Sequence, residues 1–234
     1  IMANTDGVEV DVYDQDKFKA ICSRWEEKHT LKLEYGGYKV LALRDSNAYI
    51  GQKLDGTTKE KGPYLLSENR EIHQNQSMKI VQEAVKEYFI NNIPIEKTVN
   101  DCQDIRMFLI GKRARTGKLE YRKAETTELQ VQQLPKNLRY YISRSGGSIV
   151  KVLKDSTKKK KMAVGANQMG LFGNMGEKEK DQFRYVSLHK GWRMTLFNTW
   201  VKKPFEEYVI EKRYYMNEAT KLINAIINSQ TSIK

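Results

Sequence analysis

The chain has 234 residues, enough for one large domain or two small ones with a sizeable core. No stretch approaches the roughly 18 apolar residues of a membrane-spanning helix. The net charge of +12 favours a polyanionic partner, most commonly nucleic acid, although a generally basic surface accounts for charge alone equally well. The only two cysteines, Cys22 and Cys102, are widely spaced, which disfavours a disulfide framework and predicts a reducing cytoplasm.

The charge is unevenly distributed along the chain. Residues 1–35 carry eight acidic and five basic side chains, whereas residues 139–161 carry eight basic side chains and a single acidic one. Carboxylates are ligands for hard cations, and lysine and arginine bind phosphates. The distribution therefore suits metal chemistry near the beginning of the sequence and phosphate contacts further along.

The first 65 residues read as strands around one helix. Turn-forming residues at 4–7 precede the first strand, and residues 14–30 predict a helix capped by Asp14 or Asp16. Alternation of apolar and polar residues predicts strands in three stretches: 8–12, 31–35 and 38–54. The Asp-Gly pair at 55–56 is typical of a hairpin turn. Mostly antiparallel turns beside a helix indicate an α+β fold.

The remaining residues, 66–234, read as mostly helical with one β-hairpin. Three helices are predicted, at 77–92 with Ser77 as cap, from near Thr98, and at 205–229. Residues 111–137 are polar and without clear periodicity, so they read as irregular. Residues 138–153 predict a hairpin that turns at Gly146-Gly147.

Most catalytic signatures are missing from this sequence. The three histidines are scattered, and no HExxH motif, zinc-ligand spacing or phosphate-binding loop occurs. Asp6 is the exception, because a carboxylate at the tip of a turn is both rigidly held and exposed. Two-metal phosphoryl transfer uses such ligands, yet one carboxylate cannot hold two ions, and Glu9 and Asp11 should point away on the strand. An ordinary turn residue is the alternative interpretation.

The residues around Asp6 resemble a known motif. "NTDGVEV" is similar to the hairpin of B-family DNA polymerases, usually Asp-Thr-Asp-Ser between two palm strands. In that family the second Asp is a metal ligand, and Asp6 matches it. Asn4 stands at the less demanding first position, and Asn4-Thr5-Asp6-Gly7 resembles bacteriophage variants.

Further stretches resemble the same family in the same order. "RDSNAYIG" followed by "DGTTKEKG" is similar to the Lys-x-Tyr region that contacts the primer-template, with Asn47 at the lysine position and Tyr49 at the tyrosine position. Lys61-Gly62 matches the Lys-Gly that ends this loop in phage members. "LRYYISRSGGSIVKV" resembles a thumb segment, and "YYMNEATKLINAI" resembles the helix near the polymerase C-terminus.

The resemblance implies that 1–65 is the C-terminal part of a polymerase palm and 66–234 a thumb. Asp6 would share two Mg²⁺ ions with a carboxylate outside this chain, so the chain alone should bind DNA but not extend a primer. The partners would be primer-template DNA, a deoxynucleoside triphosphate and the rest of the polymerase. The implied or hypothesised DNA contacts are Asn47, Tyr49, Lys59, Lys61, Gly62, Arg139, Arg144 and Lys151.

Several alternatives stay open at this level. The chain could be a fragment, a split subunit or an intein-derived piece. A non-enzymatic replication accessory subunit that binds nucleic acid would share the basic charge without needing Asp6, and a nuclease ranks third. The lysine run 158–161 is as well explained by a solvated loop as by DNA contact. The paired tyrosines at 140–141 and 214–215, and the three tryptophans, are predicted to be core residues rather than stacking platforms.

Overall fold

The computed structural model describes residues 2–3, 7–66, 77–125, 128–154, 183–199 and 203–231. The contacts between residues divide the chain into two compact units. The first comprises 1–70, 78–103 and 212–234, and the second comprises 71–77 and 104–211. The division into a palm segment 1–65 and a thumb segment 66–234 is a functional one and stays a prediction. The first compact unit contains residues from both segments.

The first unit combines a short hairpin, a three-stranded sheet and four helices. In chain order its elements are β1 (Met2–Ala3), β2 (Val8–Glu9), α1 (Gln15–His29), β3 (Tyr38–Asp45), β4 (Ala48–Lys53), β5 (Thr58–Glu60), α2 (Lys79–Asn91), α3 (Ile95–Asp101) and α4 (Lys212–Thr231). Strands β3, β4 and β5 form an antiparallel sheet in that order, and β1 pairs with β2. The strands and the Asp-Gly turn predicted over 38–56 are confirmed.

Helix α1 begins where the sequence predicts. The Asp14 side chain accepts a hydrogen bond from the Lys17 amide at 3.0 Å, which satisfies one of the free N–H groups of the first turn. The helix ends at Thr30, which has a left-handed φ of 56°. Residues 31–35 do not form the predicted strand. Trp25 is 41% exposed, so its assignment to the core was wrong.

The core of the first unit lies between the β3–β4–β5 sheet and helices α2, α3 and α4. Ile50 of β4, Val85 of α2 and Ile226 of α4 are fully buried. Two hydrogen bonds attach α4 to the sheet side: Tyr64 Oη donates to the Leu222 carbonyl at 3.3 Å, and Ser229 Oγ donates to the Leu43 carbonyl at 3.0 Å. The helix at the end of the sequence therefore completes the fold of the first 65 residues.

The starts of three helices differ from the predictions, and α4 begins at Lys212 rather than at residue 205, after a separate helical turn at Phe205–Glu207. Met78, with φ 53°, stands at the N-cap of α2 without a side-chain capping bond, whereas Ser77 Oγ accepts a hydrogen bond from the Gly111 amide at 2.9 Å. Helix α3 begins at Ile95 rather than near Thr98, and a separate helical turn at Ile105–Phe108 follows it. Asp104 caps this turn, because its carboxylate accepts a hydrogen bond from the Arg106 amide.

The second unit consists of two antiparallel sheets. Its strands are β6 (Ile110–Arg113), β7 (Lys118–Glu125), β8 (Glu128–Leu134), β9 (Asn137–Ser143), β10 (Ser148–Lys154), β11 (Phe183–Ser187) and β12 (Arg193–Leu196). One sheet has the order β11-β10-β7-β8 and the other the order β12-β9-β6. Ile142, Ile149 and Met194 are fully buried between neighbouring strands and form the centre of its core.

Two predictions for this region were wrong. Residues 111–137 are not irregular, because they contain β7 and β8 paired along their length. The predicted hairpin at Gly146-Gly147 is instead a corner: β9 pairs with β6 and β12, while β10 pairs with β7 and β11. Gly146 has φ 103°, and a Cβ there would overlap the Met194 carbonyl oxygen, so the corner requires glycine.

The predicted α+β class is confirmed by these helices and antiparallel sheets. The described part of 66–234 contains seven strands beside α2, α3 and α4, which is more strand than the predicted single hairpin. Within the described residues, no helix is both long and apolar enough to cross a membrane.

Candidate nucleic-acid interface

The motif that resembles the polymerase hairpin lies between two paired strands. Met2 is opposite Glu9 and Ala3 is opposite Val8 in the antiparallel pair β1–β2. Asn4, Thr5 and Asp6 lie outside the described residues. Gly7 is exposed, and a Cβ on it would meet nothing within 4 Å, so packing does not demand glycine there. Asp6 as catalytic residue and metal ligand stays a prediction.

The β1–β2 hairpin lies beside the β3–β4–β5 sheet. The Glu9 carboxylate contributes to raising the pKa of both Tyr38 on β3 and Lys59 on β5, after larger effects from burial of Tyr38 and from the Lys59–Tyr49 hydrogen bond. Glu9 Oε2 is itself buried and has no hydrogen-bond partner. The fold therefore brings the strand that follows Asp6 close to residues 38–59, which are far from it in sequence.

Tyr49 is the centre of a small cluster with two lysines. A hydrogen bond with the Tyr49 side chain is the largest cause of the raised Lys59 pKa, and Lys61 Nζ lies 5.7 Å from the centroid of the Tyr49 ring. The Lys61 amide also donates to the Tyr49 carbonyl at 2.9 Å. Tyr49 is only 2% exposed, so its ring positions the lysines and is not itself presented to solvent.

Asn47 and Gly62 meet at the end of the same sheet. Gly62 has φ 68°, and a Cβ on it would lie 2.7 Å from the Asn47 carbonyl oxygen and 3.1 Å from the Ala48 Cβ. Both the left-handed backbone and the close approach require glycine. The predicted contacts Asn47, Tyr49, Lys59, Lys61 and Gly62 thus lie in one region, although ten residues separate Tyr49 from Lys59 in sequence.

The turn before Tyr49 is held by Asp45. Its carboxylate accepts from Arg44 Nε at 2.8 Å and from the Asn47 amide at 2.9 Å. The hydrogen bond with Arg44 lowers the pKa of Asp45 most, and the Asn47 amide lowers it further. Asn47 is exposed in this turn, with its amide engaged and its side chain at the surface.

The three predicted thumb contacts lie in three different places. Arg139 is half-buried on β9, the central strand of its sheet, and Arg144 is exposed at the corner that follows, where its amide donates to the Val209 carbonyl. Lys151 is on β10 of the other sheet and donates to Thr116 Oγ1 at 3.1 Å. The structure does not assemble them into one cluster by any described contact, and their DNA contacts stay a prediction. Residues 158–161 lie outside the described residues.

The paired tyrosines are core residues, as predicted. Tyr140, Tyr141, Tyr214 and Tyr215 are each at most 7% exposed. Tyr140 Oη and His189 Nε2 lie 2.8 Å apart, within hydrogen-bond distance. Burial raises the pKa of Tyr214 to about 12, and the nearby Glu218 adds to the shift. Trp192 is half-buried, and Trp200 lies outside the described residues.

The sequence analysis located only part of the positive charge, in residues 139–161. Residues 104–211 contain 23 lysines and arginines against 11 acidic residues, whereas the rest of the chain contains 18 of each. The whole excess of +12 therefore belongs to the segment that forms the two sheets of the second unit. Counting charge by compact unit would have found it, but the boundary of that unit is not visible in the sequence.

Among the described residues, no group of three or more His, Cys, Asp or Glu side chains could hold a metal ion. The hairpin contributes one described carboxylate, Glu9, to that region. Comparison of the chain with protein-family models, curated proteins and solved structures found no match.

Proposed function

We propose that this chain is the C-terminal palm and thumb part of a template-dependent DNA polymerase of the B family. The observation that carries the proposal is that Glu9, on the strand that follows Asp6, lies close enough to Tyr38 and Lys59 to help raise the pKa of both side chains. Two motifs that resemble the family about forty residues apart in sequence thus occupy one region of the first unit.

Each element has a role in this proposal. Asp6, in the stretch between the paired strands β1 and β2, is proposed to bind a metal ion through its carboxylate, a ligand that Mg²⁺ prefers. Lys59 and Lys61, positioned by the buried Tyr49, contact phosphates of the primer-template. The positive charge of residues 104–211 binds duplex phosphates without reading sequence, which is what a thumb requires.

Mg²⁺ fits this arrangement only if its ligands are shared between this chain and the rest of the polymerase. The proposed ligands are Asp6 and a carboxylate from outside the chain; Glu9 has one buried unpaired oxygen but is expected to point away from Asp6 on the strand. Bound there, Mg²⁺ would supply charge stabilisation at the transferring phosphoryl group. The chain by itself would bind DNA without synthesising it. Cys22 and Cys102 are not joined in a disulfide, and the cytoplasmic location stays part of the proposal.

The alternative is a nucleic-acid-binding accessory subunit without enzymatic activity. The concentration of charge in 104–211 supports it as well as it supports a thumb. The two proposals differ in what they require of Asp6, since a binding protein does not need that carboxylate.

The test measures DNA binding and primer extension separately. The chain is combined with the polypeptide that carries the other palm carboxylate, whether encoded upstream in the same reading frame or elsewhere, in the presence of Mg²⁺ and deoxynucleoside triphosphates. We expect Asp6→Ala to abolish extension and to leave primer-template binding unchanged. The matched control is Asp11→Ala, which removes a nearby exposed carboxylate.

Extension by the Asp6→Ala protein at the wild-type rate would overturn the polymerase assignment. Binding without extension in every combination would favour the accessory subunit. Failure of the wild-type chain to bind duplex DNA at moderate salt would contradict both proposals.

A further inference from the structure

The sheet β11-β10-β7-β8 has two chemically different faces. Residues directly opposite each other on neighbouring strands share a face, so the pairing register assigns every side chain. Leu119, Leu134 and Ile149 are buried on one face. The other face has buried Val150 and Val152 on the interior strand β10, and β8 and β11 add four exposed large apolar side chains to it: Leu129 (58%), Val131 (51%), Phe183 (45%) and Tyr185 (51%).

Two of these side chains are aromatic and lie on the edge strand β11. Phe183 and Tyr185 are two residues apart on one strand, so they point to the same side roughly 6.6 Å apart along it. That distance is about twice the 3.4 Å rise between stacked bases of a B-form duplex. The rings therefore suit the bases of an extended single strand better than those of a duplex.

Basic side chains lie beside both rings. The Arg122 guanidinium carbon is 4.1 Å from the centroid of the Tyr185 ring, which is a cation–π contact. Lys154 is directly opposite Phe183, and Lys118 is opposite Val152, which is in turn opposite Tyr185. The acidic residue on this face of β7 is Glu120, whose carboxylate accepts a hydrogen bond from the Arg122 guanidinium.

We propose that this face of the sheet binds single-stranded nucleic acid, with bases stacked on Phe183 and Tyr185 and phosphates held by Lys118 and Lys154. Exposed apolar residues alone would suit a protein partner equally well. The cations beside the rings, and the concentration of the net charge in residues 104–211, favour a polyanion with flat apolar bases. The proposal goes beyond the duplex contacts proposed above and does not depend on Asp6.

The test measures the binding of fluorescent oligothymidylate, oligouridylate and a DNA duplex to the whole chain at one fixed salt concentration. We expect Phe183→Ala/Tyr185→Ala to weaken single-strand binding at least tenfold and to change duplex binding by less than twofold. Phe183→Trp/Tyr185→Trp keeps the stacking surfaces and should restore single-strand binding. Val186→Ala is the matched control, because Val186 is exposed on the same strand and faces the other side.

A difference between oligothymidylate and oligouridylate tells DNA from RNA as the natural ligand, and binding of either supports the proposal. Wild-type single-strand affinity in the double Ala variant overturns it, as does an equal loss of duplex binding. If the Ala variant unfolds, failure of the folded Trp variant to bind single strands overturns it. A wild-type dimer that becomes monomeric in the Ala variant without loss of binding shows a self-association surface, and the proposal fails. None of these outcomes alters the Asp6 test of primer extension.

Discussion

At the residue scale, Gly62 is the position in the candidate interface that the fold constrains most. Two features exclude a side chain at this position: the φ of Gly62 is 68°, and an added Cβ would lie 2.7 Å from the Asn47 carbonyl oxygen. Gly56, at φ 86°, has the left-handed backbone alone, with nothing within 4 Å of a Cβ. The two glycines therefore separate backbone strain from steric overlap.

Gly62→Ala should lower the free energy of unfolding more than Gly56→Ala does. A left-handed alanine costs about 1–2 kcal/mol at either position. At Gly62 the overlap with the Asn47 turn adds roughly 1–3 kcal/mol, because backbone must move. Urea denaturation followed by circular dichroism measures both variants, and equal losses would contradict the packing of Lys61-Gly62 against this turn.

Tyr214 gives a prediction about alkaline pH. Burial raises its pKa from 10.0 to about 12 in the folded chain, so the unfolded chain loses this proton first as pH rises. The native state then holds more protons than the unfolded state, and stability present below pH 10 is lost progressively up to about pH 12. Tyr214→Phe should therefore show a smaller fall in unfolding free energy over this range.

The measurement is urea denaturation at a series of pH values between 9 and 12, the window that the Tyr214 pKa defines. Tyr13→Phe is the control, since Tyr13 is 96% exposed. It should follow the wild-type pH dependence. A Tyr214→Phe profile parallel to that of the wild type would mean that Tyr214 does not titrate as its burial requires.

At the element scale, helix α1 depends on local interactions. Among its residues only Cys22 is buried, and Asp14 caps its first turn. A helix of 15 residues with little buried surface is close to the limit of independent stability. Its cap should therefore have a measurable effect on local opening.

Asp14→Ala should destabilise α1 by about 1 kcal/mol, and amide hydrogens of residues 15–29 should exchange roughly fivefold faster. Asp16→Ala is the matched variant: it removes a first-turn carboxylate that favours the helix dipole but forms no capping bond, so its effect should be smaller. Hydrogen exchange followed by mass spectrometry resolves this segment. A larger effect at Asp16 would show that the dipole, and not the cap, holds the helix.

At the scale of the whole molecule, charge is separated by compact unit. The segment 104–211 has the entire excess of positive charge, and the rest of the chain is neutral overall. Nucleic-acid binding should therefore depend on the second unit, whichever of the proposed functions is correct.

Arg113→Gln/Lys136→Gln/Arg144→Gln should weaken duplex binding, because all three side chains are exposed in the second unit. Each lost phosphate contact should reduce the slope of log affinity against log salt by about 0.9. Lys17→Gln/Lys19→Gln/Lys32→Gln removes the same charge from the exposed surface of the first unit and should leave the slope nearly unchanged. Equal reductions in both triple variants would show that net charge alone governs binding.

Local chemistry made several features of this protein predictable from its sequence. The Asp14 cap, the Asp-Gly turn at 55–56 and the existence of helix α2 all depend on residues within a few positions of one another. The candidate interface was predictable in part, because Tyr49 and Lys61-Gly62 form a recognisable pattern. That Tyr49 is buried and Tyr38 joins it was not, since burial depends on what packs against the strand.

Tertiary structure alone decided how the strands pair. β9 and β10 follow each other across four residues with glycines, the usual pattern of a hairpin, yet they enter different sheets because β6, β7, β11 and β12 offer partners from distant parts of the chain. The polar β7 and β8 have few apolar residues to reveal them and are strands because they pair with each other and with β10. The sequence by itself determined that the helices form, the Asp-Gly turn at 55–56 and the excess of positive charge. It did not determine the sheets or the corner at Gly146-Gly147, because strand pairing joins residues far apart in the chain, and no local pattern encodes the partner.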